Sequence, residues 1–210
     1  MLGALGRAVH RLNIAPELPY SLRVPTPGGV EEATALLFER LVYDGRWLAE
    51  WTGARLTRKV SKELAARAFV DRMAAVRAGF ALAQLERALY KQPGENPAKL
   101  AAGMLAKYQP AAAGGPGACW AWVVTACASP LQGPVMLLAE VAASQLASAI
   151  EEALDDEALV ASPGAGYLLI DKWFLHGARY PWHELTLRAF GQRLQEAAGR
   201  WEAVASGGKD

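Results

Sequence analysis

The stretch from Lys62 to Tyr90 constrains the fold more than any other part of this chain. Leu64, Ala68, Met73, Val76, Phe80 and Leu85 recur in it at helical rather than alternating spacing. Ser61, immediately before it, is a good helix N-cap. Elsewhere Ala and Leu dominate and β-branched runs are scarce, which favours helix nearly throughout. The predicted fold class is all-α, a bundle of long helices.

The remaining punctuation divides the chain into further helices. Leu2 to Ile14 reads as an opening helix ended by Pro16 and Pro19. Tyr20 to Pro27 reads as an extended connection, because prolines flank Leu22 and Val24. A helix is expected from Val30 to Tyr43, with Ala33, Leu37 and Leu41 on one stripe, and a short one from Arg46 to Trp51. Asn96-Pro97 sets a cap residue before a proline at the first helical position, and that helix runs to about Tyr108. Cys119 to Cys127, with Trp120, Trp122, Val123 and Val124, fits a buried strand or a helix equally well. Further helices are expected up to Leu154, from Tyr167 to Leu175, from the Tyr180-Pro181-Trp182 turn to about Gly191, and from Gln192 to Val204. Residues 1–205 are read as a single helical domain with a possible flexible connection over Ala111 to Gly117, and 206–210 as a polar tail.

Composition excludes several classes. A formal net charge of +1 gives no general electrostatic reason to bind nucleic acid. Arg55, Arg58, Lys59 and Lys62 form a short basic cluster that reads as a solvated loop and helix start. Cys119 and Cys127 form neither a disulfide framework nor a zinc ribbon, and reduced thiols fit a reducing compartment. The start of the chain lacks the pattern of a signal peptide. The longest apolar stretch, around Pro134 to Ala143, is interrupted by Glu140 and reads as too short to span a bilayer. The expectation is a cytoplasmic protein with neither nucleic acid nor membrane as partner. Gly114-Gly115-Pro116-Gly117 has no Lys-Ser/Thr after it and is not a phosphate loop.

Three stretches carry a resemblance. Gly3-Ala4-Leu5-Gly6-Arg7-Ala8-Val9-His10 resembles an H-E-x-G-H-A-x-H stretch, Leu18-Pro19-Tyr20-Ser21-Leu22-Arg23 resembles a connection between two zinc-binding helices, and Glu31 to Leu41 resembles the second of these. The group is that of the helical zinc peptidases (gluzincins) that includes oligoendopeptidases, thimet oligopeptidase and angiotensin-converting enzyme. There, two His at i and i+4 share a helix face and bind zinc, the Glu between them activates the bound water, and a Glu about 25 residues on completes the site. Leu85 to Tyr90 with Tyr108-Gln109 resembles a downstream helix pair, and Ser129-Pro130 to Glu140, continuing into Ala143 to Leu146, resembles the segment that brings tyrosines to the substrate. Trp173-Phe174 and Pro181 to Leu185 resemble the closing helices. The resemblance spans nearly the whole chain and implies the C-terminal half of such a peptidase.

The departures carry the functional expectation. Gly3 and Arg7 stand at the two histidine positions and Ala4 at the general base, while Glu32 stands at the third ligand position. Thr125 stands where a histidine is expected, and Leu131 to Met136 contains no tyrosine. Loss of ligands, base and oxyanion donors removes every contribution to metal-assisted hydrolysis. The half of the peptidase that precedes the zinc helix is expected to be missing. No catalytic residue, metal or other cofactor is therefore expected, Glu32 being a vestigial ligand position that also suits a helix first turn. His10, His176 and His183 do not complete a ligand set, and the tryptophans, Trp47 and Trp51 among them, are read as packing residues. The resulting expectation is a binding or structural subunit that pairs with itself or with a peptidase-like chain. The alternative is a peptidase subunit completed in trans by a partner with an intact zinc site. An apolar stripe of Leu2, Leu5, Val9 and Leu12 on the opening helix is the candidate contact.

Overall fold

A computed structural model describes residues 1–24, 29–53, 56–110, 116–154 and 162–190. Among these residues every regular element is helical and no strand occurs. In chain order the helices are α1 (Leu2–Leu12), the single turn α2 (Tyr20–Arg23), α3 (Gly29–Glu39), α4 (Gly45–Thr52), α5 (Arg58–Lys91), α6 (Pro97–Tyr108), α7 (Pro116–Ala128), α8 (Gln132–Ala153), α9 (Pro163–Leu169) and α10 (Trp182–Phe190). A 3-10 turn, Arg40–Tyr43, extends α3, and a π-turn, Ile170–Phe174, extends α9.

Local chemistry accounts for several boundaries. Asn96 Oδ1 accepts from the amides of Ala98 and Lys99 at 2.9 and 3.3 Å, and Pro97 occupies the first turn of α6. Asp44 caps α4 through Arg46 N and Trp47 N, and Gly53 closes it in the left-handed conformation at φ 68°. The long helix begins earlier than Ser61. Thr57 Oγ1 accepts from Val60 N at 3.3 Å, so Thr57 supplies the cap, and Ser61 lies inside the first turn with its hydroxyl turned back to Thr57 O. Tyr20 to Arg23 is helical rather than extended, since a proline before a turn removes no helical hydrogen bond and Pro19 O receives the amides of Leu22 and Arg23. Cys119 to Cys127 lies within α7 and is helical. The expected helix from Gln192 to Val204 and the tail 206–210 lie outside the described residues.

The chain divides into two compact units, Met1–Leu64 with Ala139–Asp210, and Ala65–Leu138. These divisions fall within α5 and α8. The Ala111 to Gly117 stretch, mostly outside the described residues, lies within the second unit's sequence.

In the first unit α1 packs along α3 in antiparallel sense: Gly3 abuts Glu39, and Arg11 meets Glu31. Ala33 and Leu37 on α3, Ala139, Ala143 and Leu146 on α8, and Trp173, Phe174 and Leu185 further on form one buried cluster. Small residues bring the helices close, with a Cβ on Gly29 falling 3.8 Å from Ala139 N. The one polar atom of Trp173 is satisfied there: Nε1 donates to Thr34 Oγ1 at 3.0 Å, and that hydroxyl donates to Val30 O at 2.9 Å. Arg40 binds the Glu140 carboxylate at 2.7 Å and Ser144 Oγ at 3.0 Å.

In the second unit α5, α6 and α7 enclose Leu82, Leu85, Ala101, Leu105, Cys119 and Val123. The start of α8 lies almost backbone to backbone on α5: a Cβ on Gly133 would come within 2.6 Å of Ala83 N and 2.9 Å of Gly79 O. Leu131, just before α8, has φ 63°, and its amide donates to both oxygens of the buried Glu86 carboxylate at 3.0 Å. A left-handed leucine is strained by about 1 kcal/mol or more, and this charge-assisted bond offsets that cost.

The apolar stretch near Pro134 is longer than its composition suggests. Glu140 is paired with Arg40, and α8 continues for 22 residues. By length and composition alone α8 could cross a membrane, a test that a core helix also passes, and Ala139, Ala142, Ala143, Leu146 and Ile150 are buried in this fold.

Candidate functional site

The residues that carry the resemblance to a zinc-binding motif lie along the contact of α1 with α3. Gly3, Arg7 and Arg11 are spaced by four and share one side of α1. Glu31 and Glu32 occupy the first turn of α3, and Glu39 is its last residue. The Arg7 guanidinium grips Glu32 through two bonds, Nη2 to Oε2 at 2.7 Å and Nε to Oε1 at 3.3 Å. Arg11 Nη2 lies 2.8 Å from Glu31 Oε1. The Glu39 carboxylate lies against Gly3, in the space that a side chain at that position would take. Three carboxylates thus face two guanidiniums. The hydrogen bond to Glu32 raises the Arg7 pKa above its ordinary value, partial burial works against it, and the fields of Glu32, Glu31 and Glu39 add to the rise.

Glycines make this approach possible. A Cβ on Gly6 would sit 3.0 Å from Thr34 O and from Phe38 Cγ. One turn further on, His10 is buried, 2% exposed, with its ring centroid 5.3 Å from that of Phe174. Neither ring nitrogen has a hydrogen-bond partner. Burial, helped by the neighbouring Arg11 charge, lowers the His10 pKa to about 4, so the ring is neutral at pH 7.

No known protein family, characterised protein or solved structure matches this chain.

The residues themselves do not fit a zinc ion. Gly3 has no donor atom, Ala4 is an exposed methyl, and Arg7 places a fixed positive charge against Glu32, the carboxylate that the resemblance sets at a ligand position. Among the described residues no three His, Cys, Asp or Glu side chains are grouped as metal ligands would be. His176 and His183 are half-buried and exposed respectively, near Tyr180 and Trp182. Thr125 is exposed on α7, its hydroxyl bonded back to Ala121 O at 2.9 Å, and Leu131 to Met136 belongs to the second unit.

Sequence reasoning brings Arg7 and Glu32 to notice separately, and the structure joins them. It misses Glu39, Thr34 and the pairing of Arg11 with Glu31. The signal for the last was present in two arginines at i and i+4 and two glutamates in one first turn, and only the antiparallel packing of α1 on α3 pairs them.

Proposed function

We propose that this chain is a catalytically inactive, metallopeptidase-like helical protein. It acts as a cytoplasmic binding or structural subunit and pairs with a second copy of itself or with a peptidase-like chain. The observation that carries the reading is the Arg7–Glu32 pair. The two positions that the resemblance assigns to one metal site lie face to face across 25 residues, and the acid at the third ligand position is committed to a guanidinium instead of a cation. Ala4 beside them offers no base. The pairing half of the proposal rests on α1, where Leu5 is 50% and Leu12 83% exposed beside the half-buried Leu2.

Restoring the motif tests the reading. The triple substitution Gly3→His, Ala4→Glu, Arg7→His should create zinc affinity measurable by calorimetry, with the flexible Glu39 side chain swung out of the space beside residue 3 and Glu32 released from Arg7 to act as the third ligand. The unsubstituted chain, dialysed and analysed for metal, should hold no stoichiometric zinc. About one zinc per unsubstituted chain would overturn the proposal, and a folded triple variant that fails to bind zinc would overturn the assignment of Glu32.

A further inference from the structure

Between the π-turn and α10 the first unit carries a cluster that the proposal above does not use. The chain reverses at Gly177, φ 49°, where a Cβ would come within 2.5 Å of Leu22 O, and the Ala178 amide donates to that same carbonyl at 2.8 Å. This fixes His176 and Tyr180 on either side of a tight turn, with the Arg179 amide bonded to His176 O at 2.9 Å. Tyr180 is half-buried against the main core, so its ring is a rigid platform. Three basic side chains converge on that ring. The Arg188 guanidinium carbon lies 4.3 Å from its centroid and that of Arg179 5.7 Å, while the His176 ring meets it edge-on at 5.5 Å. Among the described residues neither arginine lies within ion-pair distance of a carboxylate, and the acid closest in sequence to His176, Asp171, is taken by Lys172 at 2.8 Å.

Two exposed guanidiniums held over one ring repel each other unless something negative lies between or beside them. Stacking on a fixed aromatic removes much of the entropy that a free arginine loses on binding, so the donors are arranged in advance. We propose that Arg179, Arg188 and His176, set around Tyr180, form a binding site for a phosphate group. A phosphate offers three oxygens to two planar forks and an imidazole, whereas a carboxylate offers only two. His176 suits this role: burial lowers its pKa, Asp171 raises it, and Arg179, Arg188 and Lys172 lower it again. A phosphate beside the ring would raise that pKa through its negative charge.

The test uses the full chain. Its histidine ring resonances are followed by NMR while inorganic phosphate, phenyl phosphate, acetate and chloride are added at constant ionic strength. The His176 resonances should shift saturably with inorganic phosphate and its pKa should rise, while His183 changes little. Acetate should bind about tenfold more weakly. Arg179→Leu and Arg188→Leu should each weaken phosphate about tenfold or more, and Arg188→Gln provides the same test should leucine disturb the stack. Phenyl phosphate binding more tightly than inorganic phosphate would identify an aromatic phosphate ester as the ligand class, and equal binding would identify free phosphate. The proposal is overturned if acetate or chloride produces the same response, if the response does not saturate, or if it survives in the folded double variant Arg179→Leu/Arg188→Leu.

Discussion

Along α1, two sides of one eleven-residue helix meet the same unit under different physical rules. Gly3, Arg7 and Arg11 face Glu39, Glu32 and Glu31 across a partly solvated seam of charge. Gly6 and His10 face Thr34, Phe38 and Phe174 across a close, largely dry contact. The ionic seam is the more conspicuous in a list of contacts and the smaller in energy. Its leading pair is 37% and 30% exposed, so water competes for both partners. The dry side contributes through packing, and it holds a histidine with both nitrogens unpartnered. The comparison teaches that the charged side of α1 contributes less to its docking than the packed side does.

Truncating the dry side should have the largest effect. Phe174 is 1% exposed in the main core and carries the His10 ring. Phe174→Ala should destabilise the chain by about 3–5 kcal/mol, read by urea unfolding. A loss below 1 kcal/mol would mean that α1 is not held from this side.

His10 sharpens the comparison through pH. Its folded pKa of about 4 lies below the ordinary 6.5, so the unfolded chain binds the proton first. The His10 contribution to stability should be constant above pH 6.5 and fall as pH drops from 6.5 toward 4, by about 3 kcal/mol. His10→Leu should remove this contribution from the pH profile and leave the rest. A profile that is the same for both proteins would place His10 in water.

Breaking the ionic seam should matter less. Arg7→Leu or Glu32→Gln should each cost about 0.5–1 kcal/mol, with a coupling energy in the double-mutant cycle that shrinks in 1 M salt. A coupling above 3 kcal/mol, insensitive to salt, would reverse the ranking of the two sides.

Much of the fold was legible because its signals are local. The helical spacing from Leu64 to Leu85, the Asn96-Pro97 start and the breaks at Gly45 and Gly177 need only neighbouring residues to be read. Thr57 and Ser61 show the limit of such reading, since both have cap chemistry and only geometry tells which of them turns inward. The apolar run at Cys119 carries no periodicity that separates strand from helix, and its partners on α5 and α6 decide the matter. The candidate site was half legible. Arg7 and Glu32 stand out by position, but Glu39 reaches Gly3 only because two glycines let α1 settle onto α3. The Arg179–Tyr180–Arg188 stack was missed because cation–aromatic contact leaves no pattern in a single sequence.

The smallest expected change in stability tests the exposed leucines of α1's third side. Leu5 is half-exposed and Leu12 mostly exposed, whereas Val9 on the same stripe is packed against the core. Leu5→Asp should therefore leave the unfolding free energy within about 0.5 kcal/mol of the original, since no buried contact is lost. Its effect should appear in assembly instead. A carboxylate centred in an apolar contact must be desolvated without a partner, so association at micromolar concentration should weaken by about tenfold or more. Light scattering and circular dichroism on one sample separate the two effects. An unfolded variant would put Leu5 in the core, and an unchanged oligomer would move the contact off α1. A chain that is a strict monomer before substitution, and that captures no partner, would leave the seam of Arg7 and Glu32 as a structural tie with no subunit role attached to it.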